Sequence, residues 1–317
     1  MGPPVQSTLD LPGQVAREQA LLPAAVLDVP SMLSYEERAL LHWAAREGPG
    51  AEGQLIDAGS YLGGSTLSLA SGLRAGGDPG ARRVHAYDRF EVCADWERVY
   101  FPDDFEFEVG ASTAGLYLRH IEPVADLVQT HLGDIHGFHW HGEPIATLFV
   151  DVAKTWETHD HVVREFFPSL VPGALVIQQD QVHFGHPWCA LAMELLDDYV
   201  DYLGHVRFSS AVYRVREPIP PPALPVELLG RMSADDALGL VDRFAERVGE
   251  PDAGHVRLCG AMALIAYGEF ERARERMRDV AASYDNSATP HISHGFEFLP
   301  ALAAAGEARA RETAGLG

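Results

Sequence analysis

One lysine stands out in this chain because the sequence otherwise uses arginine for its positive charge. Of the 24 Lys and Arg residues, only Lys154 is a lysine, and it lies three residues after Asp151 in the segment DVAKTW. Arginine keeps its proton in proteins, whereas a buried lysine can lose its proton and act as a base. The alternative is chance placement, and the surroundings of Lys154 must decide between the two.

An acidic side chain lies at or near the end of each of five short apolar segments in the first two thirds of the chain. The segments are QLIDAGS, RVHAYD, ADLVQTHLGD, ATLFVDV and ALVIQQD, and their acids are Asp57, Asp88, Asp134, Asp151 and Asp180. Asp often begins a loop, which is the structural explanation for any single one of them. In a parallel sheet, however, ligands bind beyond the carboxyl ends of the strands. Five acids at such positions predict a polar site at that edge.

The segment LIDAGSYLGGST has the pattern of a strand, a glycine-containing turn and a helix start. Gly59 and Gly63 would let the backbone approach a ligand closely, and the amides near Ser65 suit a carboxylate. The turn does not match the G-x-G-x-x-G dinucleotide fingerprint. Asp88 ends the next strand, where an acid can accept both hydroxyls of a ribose. Asp134 ends the third strand, the place for a contact to an adenine edge.

The segments between the apolar runs predict the helices that position these residues. Ser34 and Glu37 have the spacing of a capping box ahead of an apolar helix face. Helical stretches at 65–76 and 159–171 alternate with the apolar runs, which is typical of a doubly wound, mostly parallel α/β sheet. Beyond a proline-rich stretch the sequence becomes helical again, and residues 255–284 predict a helix pair that bends at Gly268.

The predicted domain organisation has four parts. They are an N-terminal arm over residues 1–33, a sheet-containing domain over 34–216, a proline-rich linker over 217–225 (EPIPPPALP) and a helical C-terminal extension over 226–317.

The order of these motifs resembles the class I S-adenosylmethionine-dependent methyltransferases over about residues 35–215. The D-x-x-K motif at Lys154 and the segment QQDQ after the fifth strand are similar to the metal-assisted O-methyltransferases, including catechol O-methyltransferase and the macrocin-type sugar O-methyltransferases. The resemblance implies a Rossmann-like methyltransferase sheet with a C-terminal helical extension. It also implies methyl transfer from S-adenosyl-L-methionine to a hydroxyl of a small molecule, such as a sugar or another secondary metabolite.

The resemblance also implies roles for individual residues. Lys154 would be the base, and Mg²⁺ would be held by Asp151, Gln179 and Asp180, because a hard cation takes oxygen ligands and acidifies a coordinated hydroxyl. Many relatives have two adjacent acids after the fifth strand, whereas Gln179 here leaves the site with one charge fewer. His183, three residues past Asp180, is a further catalytic candidate beside Asp151. The predicted cofactor-binding set is Asp57, Gly59, Ser60, Gly63, Ser65, Asp88, Arg89 and Asp134.

The overall charge limits the classes of partner. The net charge of -22 argues against nucleic acid and anionic membranes as partners. No apolar run reaches the roughly 18 to 20 residues of a membrane helix, and the three cysteines are far apart, as expected in a reducing cytoplasm. The expectation is a cytoplasmic protein with a small-molecule substrate. It would form a homo-oligomer, such as a dimer, through the N-terminal arm or the C-terminal helices.

The role of one segment and the function of the whole protein leave alternatives open. The acidic and aromatic segment 91–110 is either a solvated insertion or a substrate lid that favours a cationic or amino-bearing substrate. The function could also be that of a hydroxylase-associated relative on the same scaffold. A third alternative is a non-catalytic cofactor-binding subunit that docks a partner through its helices.

Overall fold

Seven strands form one mixed sheet in the computed structural model, which describes residues 10–48, 52–207, 209–283 and 292–313. The strands are β1 (Gln54–Ala58), β2 (Val84–Asp88), β3 (Val128–Leu132), β4 (Ile145–Val150), β5 (Leu170–Gln178), β6 (Val200–His205) and β7 (Ala211–Val215). Their order across the sheet is β3-β2-β1-β4-β5-β7-β6, and β7 runs antiparallel to both β5 and β6. The carboxyl ends of β1 to β5 therefore lie at one edge.

The five predicted strands are confirmed as β1 to β5. The third is shorter than its apolar run, because residues 122–127 form a 3₁₀ turn, and the fifth begins earlier, at Leu170. The sequence did not predict β6 and β7. Asp201 and Gly204 break the apolar pattern of β6, and β7 is a run of only five residues that contains Arg214, so neither has the long apolar pattern of a central parallel strand.

Helices cover the sheet and continue beyond it. They are α1 (Leu11–Gln19), α2 (Ala24–Asp28), α3 (Tyr35–Glu47), α4 (Gly64–Ala75), α5 (Ala114–Ile121), α6 (Trp156–Phe166), α7 (Pro187–Leu195), α8 (Leu228–Arg231), α9 (Ala234–Val248), α10 (Ala253–Ala266), α11 (Phe270–Ser283) and α12 (Ile292–Thr313). The predicted capping box begins α3: Glu37 N–H donates to Ser34 Oγ, and Ser34 N–H donates to the Glu37 carboxylate.

The described part of the predicted N-terminal arm, residues 10–33, packs against the sheet domain. Leu11 and Val26 are buried with the apolar side chains of α3. Glu18 is fully buried, and its carboxylate accepts from Arg46 Nη2 at 2.5 Å and contacts His42 Nδ1 at 2.5 Å. This buried ion cluster fixes α1 on α3.

The C-terminal helices share a core with the sheet domain. Phe244 of α9 and Val256 of α10 belong to the same buried cluster as Val176 of β5. The α10 and α11 helices form the predicted pair, and Gly268, at a φ of +77°, lies in the bend between them. Phe184, in the loop after β5, is buried with Leu258 of α10. Among the described residues no helix is both long enough and apolar enough to cross a membrane.

Candidate active site

A cavity of about 480 Å³ lies beyond the carboxyl ends of β1 to β4. Residues directly after each of these four strands line it, so the sheet edge predicted from the acidic strand ends does carry a pocket. Its volume is in the range typical of small-molecule sites. The predicted site residues among its walls are Gly59, Ser60, Ser65, Asp88, Arg89, Asp134, Asp151 and Lys154.

Asp57 lies beneath the turn after β1, and it is not one of the residues that line the cavity. Its Oδ2 accepts from Ser65 Oγ at 3.0 Å and from Thr66 Oγ1 at 2.5 Å. Burial nevertheless raises the pKa of Asp57 to about 6. Asp57 Oδ1 is buried without a hydrogen-bond partner among the described residues. Buried oxygens normally have a donor, so this atom fits a donor supplied from outside the chain, such as a ligand amino group.

The two glycines of the same turn allow close contacts between this turn and neighbouring segments of the protein. Gly59 has a φ of +106°, and a Cβ there would lie 2.9 Å from the carbonyl carbon of Asp151. Gly63 has a φ of +98° and precedes α4, and a Cβ there would lie 3.2 Å from the Tyr117 ring. Gly63 is not among the residues that line the cavity. The close approach that these glycines permit is therefore to the loop after β4 and to α5.

Asp88 holds the loops on both sides of it. Its Oδ2 accepts from Tyr61 N–H at 2.8 Å, and its Oδ1 accepts from Phe90 N–H at 2.7 Å. Burial raises the pKa of Asp88, although these amides oppose that effect. Each carboxylate oxygen can accept two hydrogen bonds, so both retain capacity for ribose hydroxyls. The position and chemistry of Asp88 fit the predicted contact.

Asp134 and Arg89, two further residues of the predicted cofactor-binding set, are exposed. Asp134 Oδ1 accepts from His136 N–H at 3.0 Å and contacts His136 Nδ1 at 2.7 Å. These hydrogen bonds lower the pKa of Asp134. Arg89 Nη2 pairs with Glu91 Oε2 at 2.9 Å. His136 also lines the cavity, a position that the sequence did not predict.

Lys154 is surrounded by the three residues predicted to bind magnesium. Its Nζ lies 2.6 Å from Asp151 Oδ1, 3.2 Å from Gln179 Oε1 and 2.6 Å from Asp180 Oδ2. Asp180 has a φ of +61°, in the left-handed region that Asp tolerates better than most side chains. This backbone turn follows β5 directly. The structure therefore brings together residues that are 25 or more positions apart in the sequence.

The charges in this cluster keep Lys154 protonated. Partial desolvation at the cavity wall alone would lower the pKa of the half-exposed Lys154, but the carboxylates of Asp151 and Asp180 outweigh it and raise that pKa above its ordinary value. Burial raises the pKa of Asp151 to about 7, although Lys154 opposes the increase. An ammonium ion has no lone pair with which to accept a proton. The base role that the resemblance implies for Lys154 thus stays a prediction and would first require loss of this proton.

The magnesium site that the resemblance implies does not fit this arrangement. Carboxylate and amide oxygens are suitable ligands for Mg²⁺. However, the point on which the oxygens of Asp151, Gln179 and Asp180 converge is taken by the Lys154 ammonium group. Within the described ranges no group of three or more His, Cys, Asp or Glu side chains is arranged to hold a metal ion. Magnesium binding stays a prediction of the resemblance alone.

His183 does not line the cavity, and its Nδ1 accepts from Gly185 N–H at 3.1 Å. His186 Nδ1 lies 3.8 Å from Asp180 Oδ2. Burial lowers the pKa of His186 to about 4, so this imidazole is neutral near pH 7. The catalytic role of His183 stays a prediction.

Several walls of the cavity come from segments that the sequence did not place there. Met32, just before α3, forms part of one wall, and Thr158 of α6 forms part of another. Trp96 and Glu97 belong to the acidic and aromatic segment 91–110, which was open to interpretation as a lid. The composition of that segment was a usable signal. No pattern around Met32 indicated that it would reach the site.

The solved structures that are similar to this chain include three methyltransferases of low sequence identity. The O-methyltransferase NovP is 18% identical, with 64% of this chain and 88% of that chain covered and a TM-score of 0.47. The calicheamicin methyltransferase CalS11 is 16% identical, with 68% and 94% covered and a TM-score of 0.42. An O-methyltransferase from Bacillus cereus is 16% identical, with 65% and 90% covered and a TM-score of 0.38. No curated protein sequence matches the chain.

A family model matches the central part of the chain. Residues 56–181 match the model described as a methyltransferase domain. That range begins in β1, includes the turn after it and ends just after Asp180. It thus contains most of the residues that line the cavity, which lies at the sheet edge where this fold binds ligands. Residues 56–181 therefore carry a methyltransferase domain, in agreement with the resemblance drawn from the sequence motifs.

Proposed function

We propose that this enzyme transfers the methyl group of S-adenosyl-L-methionine to a hydroxyl of a small molecule, a sugar or another secondary metabolite. One observation carries the proposal. Asp151 and Lys154 line the same cavity as Asp88 and Ser65 of the predicted cofactor site. A carboxylate and an ammonium group are therefore available where an acceptor hydroxyl would meet the methyl donor.

The cofactor would be held by the residues that follow β1, β2 and β3. Asp88 would accept from the ribose hydroxyls, and Asp134 would lie beside the adenine. The backbone amides at the start of α4, next to Ser65, suit the carboxylate of the methionine part. Asp57 Oδ1 could accept from its amino group.

The acceptor would react beside Asp151. When bound, the cofactor supplies the methyl group: its C–S bond breaks with the electron pair left on sulfur, a C–O bond forms to the acceptor, and the hydroxyl proton must leave. The Asp151 carboxylate, with a pKa raised by burial to about 7, can take that proton. The Lys154 ammonium can stabilise the negative charge that develops on the acceptor oxygen.

The cavity walls suggest the class of acceptor. Trp96 is 61% exposed and supplies an apolar ring on which a sugar or aromatic face can pack. Glu97, on the same 3₁₀ turn, could pair with an amino group. A neutral or amino-bearing glycoside meets both conditions better than an anionic acceptor, given the net charge of -22. The proposal includes a cytoplasmic protein with no nucleic acid or membrane partner.

A homo-oligomer, such as a dimer, is also part of the proposal. Because α1 and α2 pack on their own domain, the C-terminal helices are the better candidate for the contact between copies. Analytical ultracentrifugation of the full chain and of a variant with Phe298→Glu, a side chain of α12 that is 54% exposed, tests this placement. A monomeric wild-type protein would contradict it.

A methyl-transfer assay tests the function. Purified protein is incubated with isotopically labelled S-adenosyl-L-methionine and a panel of glycosides, phenols and amino sugars, and the methylated atom is identified by mass spectrometry. We expect an O-methylated product with one class of acceptor and a loss of at least a hundredfold in Asp151→Asn, the range of general-base catalysis. Transfer to nitrogen only, or cofactor binding without turnover of any acceptor, would contradict the proposal. The second result would favour the non-catalytic subunit.

A further inference from the structure

The contacts of Lys154 indicate what replaces a metal ion in this site. We propose that the Lys154 ammonium group is a built-in cation of the acceptor site, occupying the place that a divalent metal ion would take, so that the enzyme needs no metal. The use of this cation by an acceptor rests on the function proposed above. The occupation of the site by lysine does not, and it can be tested without any acceptor.

The first argument is geometric. The three ammonium protons of Lys154 have three acceptors, the oxygens of Asp151, Gln179 and Asp180, at 2.6, 3.2 and 2.6 Å from Nζ. A magnesium ion bound to the same oxygens at about 2.0–2.1 Å would have to lie close to the position of Nζ. In this conformation of the Lys154 side chain the two cations therefore exclude each other.

The second argument concerns charge. Asp151 and Asp180 contribute two negative charges, and Lys154 contributes one positive charge, which leaves the cluster at a net charge of -1 when all three are ionised. A third carboxylate at position 179 would leave two negative charges without a counterion, and a divalent cation would neutralise them. The neutral amide of Gln179 suits a monovalent ammonium group instead.

The third argument is the orientation of Gln179. Its Nε2 donates to Ser209 Oγ at 3.1 Å, and Ser209 Oγ donates in turn to Glu37 Oε1 at 2.6 Å. Ser210 Oγ donates to the same oxygen at 2.8 Å. Because Glu37 can only accept, the direction of these bonds turns the amide oxygen of Gln179 toward Lys154. The oxygen cluster is held ready for a cation by residues of α3 and the turn before β7.

Lysine is suited to this place in a way that arginine is not. An ammonium group is a compact charge with three donors, which matches three oxygens around one point, whereas a guanidinium is a wider planar fork. The side chain of Lys154 is 50% exposed, so an acceptor oxygen can still approach it. Its longest contact, to Gln179, is the one that such an oxygen could share. This explains why the one lysine of an arginine-rich sequence lies here.

The test measures metal binding directly. Mg²⁺ is titrated into the full chain by calorimetry, and Mn²⁺ binding is followed by electron paramagnetic resonance. Wild-type protein should show no saturable site at millimolar metal, and its methyl transfer should persist in excess chelator. Lys154→Met keeps a similar side-chain length without the charge. It should gain a site for one metal ion per chain, and Asp180→Asn in the same variant should remove that site.

Each outcome decides the proposal. Gain of metal binding in Lys154→Met supports it, and recovery of methyl transfer by added Mg²⁺ in that variant would support it further. Stoichiometric metal binding to wild-type protein that Asp151→Asn abolishes would overturn it, whatever the variants do. A folded Lys154→Met, confirmed by circular dichroism, that binds neither ion would also overturn it. Because these measurements need no acceptor, they stand even if the proposed O-methyl transfer is wrong.

Discussion

Acid should destabilise this protein through His159, and the size of the effect can be calculated. His159 lies on α6, next to the cavity residue Thr158, and its side chain is fully buried. Neither ring nitrogen has a hydrogen-bond partner among the described residues. Burial lowers the pKa of His159 to about 3, from 6.5 for an ordinary histidine.

The direction of the pH effect on stability depends on which state, folded or unfolded, binds the proton. Between the two pKa values the unfolded chain takes up a proton and the folded chain does not, so protons favour unfolding. The contribution to stability is fully present above pH 6.5 and is lost as the pH falls toward 3. At about 1.36 kcal/mol per pH unit, His159 alone should lower the free energy of unfolding by about 2 kcal/mol between pH 8 and pH 5.

The assay is urea unfolding at pH 8 and pH 5, comparing wild-type protein with His159→Leu. Leucine fills a similar volume, cannot titrate and leaves no buried nitrogen without a partner, so it should cost little at pH 8. At pH 5 the variant should be more stable than wild type by about 2 kcal/mol. His141→Gln, at an exposed position, is the matched control for loss of one histidine.

Comparison with the variant also separates the effect of His159 on stability from the effects of other buried histidines. Burial lowers the pKa of His85 and that of His186 to about 4, so both add to the acid sensitivity of the wild-type protein and of the variant alike. If wild type and His159→Leu lost the same free energy of unfolding between pH 8 and pH 5, the reasoning would be refuted. It would mean that His159 is hydrated or charged in the folded protein.

Three further predictions concern the cofactor, the N-terminal helices and the loop after β5. Asp88→Ala should weaken binding of S-adenosyl-L-methionine by about 1.5–3 kcal/mol, measured by calorimetry, because hydrogen bonds to a charged group are lost; unchanged affinity would exclude the ribose contact. Glu18→Gln should lower the free energy of unfolding by about 3–5 kcal/mol near pH 7, measured in urea. Arg46 and His42 outweigh burial and lower the pKa of Glu18. The contribution of Glu18 to the free energy of unfolding is therefore present at neutral pH and should disappear as the pH falls through that lowered pKa. An equal loss of stability in the variant at all pH values would contradict this. Phe184→Ala should cost about 3–5 kcal/mol of stability and reduce kcat/KM for the acceptor more than cofactor affinity, because Phe184 supports the loop that carries Asp180; equal effects on both would contradict this.

Much of the sheet could be predicted because its central strands have a local signature. Strands β4 and β5 contain continuous apolar runs, and β1 and β2 are mainly apolar. By contrast, β3 (VQTHL) and β6 (VDYLGH) mix polar and apolar residues, and β7 (AVYRV) is short, so β6 and β7 are recognisable only from their pairing. The capping box at Ser34 was readable for the same reason, since both partners lie within four residues.

The site was predictable as a set of residues but not as a set of contacts. Strand ends placed Asp151, Lys154 and Asp180 at one edge, and the structure joins them there. Whether Lys154 or a metal ion takes the oxygens depends on a side-chain conformation that spacing does not specify. Gln179 is hydrogen-bonded to Ser209, and Ser209 is hydrogen-bonded to Glu37, which is 172 positions away in the sequence. No local sequence pattern predicts such a contact.

The burial of Phe184 against the C-terminal helices affects when the protein can become active during its synthesis. A ribosome that has made residues 1–216 has already made every residue that lines the cavity and both partners of Lys154 after β5. The loop that carries those partners still lacks the side chains of α10 and α12 that cover it. Nascent chains should therefore gain acceptor turnover only after these helices leave the exit tunnel. For the same reason, trimming the protein to its matched methyltransferase segment would remove the support of its own active site.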